Sequence, residues 1–128
     1  MKKWFTLNRV QDLVNMAGVQ LLGFKPTRGD FTPDYRMNNK IRGVHLSFRN
    51  GVTLSVQWGR GNYCDEGLTC CEVMAMDEDG HPICIPGQLL PEHCDQVIGH
   101  VDREDLLLII KECASMKEKI RKEVAPVL

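Results

Sequence analysis

The chain has 128 residues, 43% of them hydrophobic and 26% charged, with 16 Lys/Arg, 17 Asp/Glu and six cysteines. A chain of this length fits one domain that buries about two-thirds of its unfolded surface, enough that it can fold without staples. No run approaches the ~20 apolar residues of a membrane span, and the N-terminus lacks the apolar core of a signal peptide, so the expectation is a cytoplasmic protein without a membrane partner.

Near neutrality conceals a polarised charge distribution. Residues 1–60 carry ten Lys/Arg against Asp12, Asp30 and Asp34, a balance of +7, and residues 61–128 carry fourteen Asp/Glu against six Lys/Arg, a balance of −8. Between Asp65 and Asp105 the one base is Arg103. An outward acidic surface follows unless the two halves pack side by side and offset each other within a Debye length of ~8 Å.

In chain order, TLNRVQDLVNMA (6–17) places Leu7, Val10, Leu13, Val14 and Ala17 at helical spacing. Thr6 is the N-cap and Gly18 the stop, within an N-terminal helical region 1–22. Residues 23–41, with two prolines and two glycines, read as a connecting arm available to a partner or a second subunit.

The segment GVHLSFRNGVTLSVQW is a hairpin. A two-residue Asn50-Gly51 turn would put its apolar sets on opposite faces. A three-residue loop with left-handed Gly51 pairs Phe48 with Val52, Leu46 with Leu54 and Val44 with Val56, and is the expected form. A second hairpin follows in TCCEVMAM and HPICI around an Asp77-Glu78-Asp79-Gly80 turn, Pro82 consigning its last strand to an edge. After a loop, with a short extended piece at Gln96–Gly99, a helix capped by Asp102 runs through Leu106, Ile109, Ile110, Cys113, Met116, Ile120 and Val124 to about residue 125. The fold expected is α+β, a single domain with an antiparallel β-meander of about four strands in 42–100 packed against the long C-terminal helix of 101–125.

Chemistry is sparse. Cys64, Cys71, His81, Cys84, His93 and Cys94 offer the thiolate and imidazole ligands of zinc, but no C-x-x-C pair is present, so a structural zinc module is the alternative rather than the leading reading. In a reducing compartment most of the cysteines are expected as thiols, Cys113 within the core. No catalytic motif stands out, and Asp65 and Glu66 beside Cys64 oppose a thiolate there. The GRGNYC loop (59–64) has glycines and Arg60 that would suit an anion, as in a small nucleotide-binding protein or hydrolase, yet no Gly-Lys-Ser/Thr follows. Lys25, Arg28, Arg36, Lys40, Arg42 and Arg49 interleave with aromatic residues, but the acidic half argues against direct nucleic-acid binding.

The runs NGVTLSVQWGRGNYC (50–64), CEVMAMDEDG (71–80) and DQVIGHVDREDLLLII (95–110) resemble a loose group of small tailed-phage and prophage proteins, over residues 42–115. Gly99, Val101 and Glu104 stand where that group starts its helix. The resemblance implies a binding protein without catalysis; no cofactor is expected, zinc belonging to the alternative reading. Its partner would be a host or phage protein, or a nucleotide signal, in the manner of an antagonist of host defence. The contact residues expected are Arg60, Asn62, Tyr63, Asp65, Glu66, Asp77, Glu78 and Asp79; homo-oligomer formation is open.

Overall fold

The computed structural model describes residues 3–28, 41–59, 65–85 and 97–116. Helix α1 (Leu7–Ala17) starts where the Thr6 hydroxyl accepts the Arg9 amide at 3.1 Å, and stops at Gly18, whose φ of 69° is left-handed. Both ends are those the sequence predicts, because an extended Thr satisfies one orphan amide and glycine alone takes the left-handed turn without strain.

The first strand corrects the sequence reading. Gly23 to Thr27, assigned there to the connecting arm, belong to β1 (Leu21–Thr27), which pairs antiparallel with β2 (Gly43–Phe48) through Phe24↔Leu46, Lys25↔His45 and Pro26↔Val44. Gly23 and Pro26 are breakers by propensity, but β1 is an outer strand and has a bulge between Leu21 and Gly23, the two settings in which a sheet accepts such residues. Residues 29–40 of the expected arm lie outside the described residues.

β2 and β3 (Thr53–Gln57) form the expected hairpin, with Leu46↔Leu54 and Val44↔Val56. The Phe48 amide donates to Val52 O at 2.9 Å, the Gly51 amide donates to Phe48 O at 3.2 Å, and Gly51 has φ 87°, so the loop is the three-residue Arg49-Asn50-Gly51. β4 (Cys70–Met76) pairs with β3, and its other side is shared: β5 (Pro82–Ile83) takes Ala75 and Met76, while β6 (Ile98–Asp102) takes Cys70, Cys71 and Val73. Among the described residues the antiparallel sheet therefore has six strands rather than about four, the extra two being β1 and β6.

Val44, Leu46, Phe48, Val52, Leu54, Val56 and Trp58 are each at most 2% exposed and lie in one cluster with Val10, Leu13 and Val14 of α1 and Leu106, Ile109, Ile110 and Cys113 of α2 (Arg103–Ser115). Both helices thus cover one face of the sheet, and each such side chain contributes roughly 1.5–3 kcal/mol by leaving water. Asp102 caps α2 by accepting the Asp105 amide at 2.8 Å. The helix ends earlier than predicted: Met116 is extended (φ −63°, ψ 127°), and the expected continuation to 125 lies outside the described residues. Its terminus is held from the hairpin, because Asn50 Nδ2 donates to Cys113 O at 2.8 Å and to Met116 O at 2.7 Å, while Asn50 Oδ1 accepts the Val52 amide at 3.1 Å. Among the described residues no helix is long and apolar enough to cross a membrane.

Candidate functional site

Strand alternation that buries Val44, Leu46, Leu54 and Val56 must turn their neighbours to the second face of the sheet. Register sets Lys25, His45, Ser55 and Met74 in one row across β1 to β4, and Thr27, Gly43, Gln57 and Glu72 in the next. These rows form a groove of about 390 Å³ lined by Thr27, Arg28, His45, Ser55, Gln57 and Glu72, with Met74 as an apolar floor contact.

Gly43 makes the groove floor. The Gln57 side chain lies across it, its Nε2 donating to Thr27 Oγ1 at 3.0 Å and to Ser55 Oγ at 3.1 Å, and Thr27 Oγ1 lies 3.2 Å from Gln57 Oε1. A Cβ on residue 43 would lie 2.1 Å from Gln57 Oε1 and 2.6 Å from Thr27 Oγ1, so any other residue forces the amide off the floor. His45 is lowered from its ordinary value, first by burial and then by the Lys25 charge, so at neutral pH it is an uncharged imidazole with one donor and one acceptor. The groove lining includes one cation, Arg28, and one carboxylate, Glu72, and Lys25 stands beside His45 in the same row.

The described residues among those singled out by sequence fall elsewhere. Arg60, Asn62, Tyr63, Cys64, His93 and Cys94 lie outside the described residues. Asp65 and Glu66 precede β4 and Asp77, Glu78 and Asp79 follow it, so the two acidic groups stand at opposite ends of a seven-residue strand, about 20 Å apart at ~3.4 Å per residue. Asp65 serves its own loop: its carboxylate accepts the Thr69 amide and hydroxyl at 3.0 and 2.5 Å, the Cys70 amide at 3.1 Å and the Cys70 thiol at 3.3 Å. Burial would raise this carboxyl, but the Thr69 and Cys70 donors together hold it well below the usual carboxylate range. Glu66 has a left-handed φ of 59° and meets Lys3 Nζ at 3.5 Å.

Asp77 organises the β4–β5 turn by accepting the Asp79 and His81 amides, both at 2.9 Å. Ligand atoms of Asp77, Asp79 and His81 come within 4.8 Å of one another, and among the described residues this is the one such trio. The alternative zinc set is not assembled from its described members. Cys71 is fully buried opposite Val101 at the far end of β4, His81 lies in the turn, and Cys84 is disulfide-bonded. Cys70, Cys71 and Cys113 are thiols outside any disulfide.

One cysteine does meet a histidine, since Cys70 Sγ lies 3.8 Å from His100 Nδ1, with His100 at φ 54°. The pair is not primed for nucleophilic chemistry: burial foremost pushes the Cys70 thiol up, its S–H donates a hydrogen bond to the Asp65 carboxylate, and an activated cysteine needs the opposite environment.

No protein-family model, no curated protein and no solved structure matches the chain. His45, Ser55, Gln57 and Thr27 escape a motif search because each is an ordinary polar strand residue; the available signal is that the hairpin's outward set is short and uncharged, with a glycine opening the strand.

Proposed function

We propose that this chain is a binding protein without catalysis, of the phage accessory type its sequence resembles, which holds a nucleotide signal in the groove on the polar face of its sheet and so antagonises a host defence system. The observation that carries the reading is the groove itself. Its volume of about 390 Å³ suits a small molecule. Its floor is pre-organised by the Gln57 amide over Gly43, and it joins cations suited to phosphate, Arg28 in the lining and Lys25 beside His45, with neutral donors and acceptors, Glu72 and Met74 suited to a base. Pre-organised polar groups lower the ordering cost of binding. The Cys70–His100 pair, with its thiol held protonated, supplies no rival nucleophile.

The test is a thermal-shift and calorimetric screen of nucleoside mono-, di- and triphosphates and cyclic nucleotides against the full chain, beside a Lys25→Ala/Arg28→Ala variant. A ligand at a hundred times its dissociation constant adds ~2.7 kcal/mol of stability. Saturable binding that the double variant weakens supports the reading, and a flat screen, or binding indifferent to both cations, refutes it.

A further inference from the structure

We infer that Asn50 is a modification site, an Asn-Gly deamidation point whose reaction the native contact with α2 suppresses and whose product undoes that contact. Asn50-Gly51 is the chain's one Asn-Gly sequence. Glycine after asparagine leaves the following backbone nitrogen unhindered, which makes this dipeptide the most reactive for cyclisation in a mobile chain. In the reaction the Gly51 nitrogen bonds to Asn50 Cγ and gives up its proton, the Cγ–Nδ2 bond breaks, and the amide nitrogen leaves as ammonia. Water then opens the succinimide at either carbonyl, giving aspartate or isoaspartate.

Every atom of that step is engaged in the fold. Nδ2 donates to the carbonyls of Cys113 and Met116 at 2.8 and 2.7 Å, Oδ1 accepts the Val52 amide at 3.1 Å, and the Gly51 amide donates to Phe48 O at 3.2 Å. Swinging Cγ onto the Gly51 nitrogen breaks the three side-chain bonds, and freeing that nitrogen breaks the fourth. Cyclisation therefore waits for the end of α2 to leave the hairpin, and its rate counts those openings.

The product cannot return. A carboxylate has no hydrogen to give and would face two carbonyl oxygens, so acceptor meets acceptor where two bonds stood. Isoaspartate adds a backbone methylene to the three-residue loop and disturbs the Phe48–Val52 pairing as well. Cys113 and Met116, 0% and 5% exposed, are the core contacts closest to the lost clamp. Opening of the helix end thus becomes irreversible after one chemical event. This inference stands on the clamp alone and is independent of the groove.

The experiment incubates the full chain at neutral pH in native buffer and in denaturing urea, following Asn50 by peptide-mapping mass spectrometry and isoaspartate by methyltransferase labelling. Asn50 in the native protein should deamidate at least about tenfold more slowly than in urea, the factor given by an opening free energy of ~1.4 kcal/mol. Equal rates in the two states overturn the inference. Asn50→Asp should lower the urea midpoint more than Asn50→Ala, because alanine removes the two donors and the acceptor of the Val52 amide, whereas aspartate keeps that acceptor but sets a charged oxygen against two carbonyl oxygens. An aspartate variant as stable as the parent overturns the second half, and the wild-type comparison decides the first half even if that variant fails to fold.

Discussion

Gly43→Ala places one methyl where the Gln57 amide lies, and its cost follows from three contacts. The new Cβ would sit 2.1 Å from Gln57 Oε1, 2.5 Å from Gln57 Cδ and 2.6 Å from Thr27 Oγ1, too close for either side chain to stay. The Gln57 side chain must swing out, giving up its bonds to Thr27 and Ser55 at 3.0 and 3.1 Å. At about 0.5–1.5 kcal/mol for each bond, the loss is ~1–3 kcal/mol. Alanine offsets part of it, since a less flexible unfolded chain contributes about 0.4–1 kcal/mol. The net expectation is destabilisation by about 1–2 kcal/mol, read as a lower urea midpoint at constant m-value. A double-mutant cycle isolates the cause: in a Gln57→Ala background the methyl meets only Thr27, so most of the penalty should vanish. If Gly43→Ala costs the same in both backgrounds, or nothing in the parent, the account of the groove floor is wrong.

The remaining predictions concern charge and thiols. Asp65 has a depressed carboxyl in the fold, so its stabilisation is present above the unfolded value of about 3.9 and is lost as pH falls towards the folded one; Asp65→Asn should flatten the acid side of the stability profile below about pH 4, and an unchanged profile would contradict the loop network. Cys113, pushed up to about 12 mainly by burial, and fully buried Cys71 should both resist alkylation at pH 8 until urea is added, as counted by mass spectrometry; rapid native labelling of either would show the core mispacked. Lys25→Met removes a positive charge from beside His45, so the imidazole should titrate at higher pH in an NMR experiment, and an unmoved titration would separate Lys25 from the groove.

Much of the architecture is legible in local patterns. Period-two alternation and one glycine were enough to select the three-residue hairpin loop, because the two-residue alternative inverts one apolar set. Thr6, Gly18 and Asp102 mark helix ends since each meets a need created within one turn of chain. The Asp77–Gly80 turn is of the same kind, with Gly80 at φ 84° and its amide on Asp77 O at 3.0 Å.

What local pattern misses is decided across long separations. β1 carries Gly23 and Pro26 and would not be a strand alone; pairing with β2 makes it one, and an outer position excuses the proline. The groove floor joins Thr27 to Gln57, thirty residues apart, over a glycine that looks unremarkable in the chain. The acidic residues that seem continuous in sequence are parted by the length of β4.

The amino-acid order thus determined its own periods, caps and turns, because those depend on neighbours within a few residues and on which side chains avoid water. Only the folded chain could decide which strands lie side by side, and with them the polar face, the Gln57 bridge and the Asn50 clamp. Those arise when segments far apart in sequence meet, and no local rule of spacing encodes the meeting.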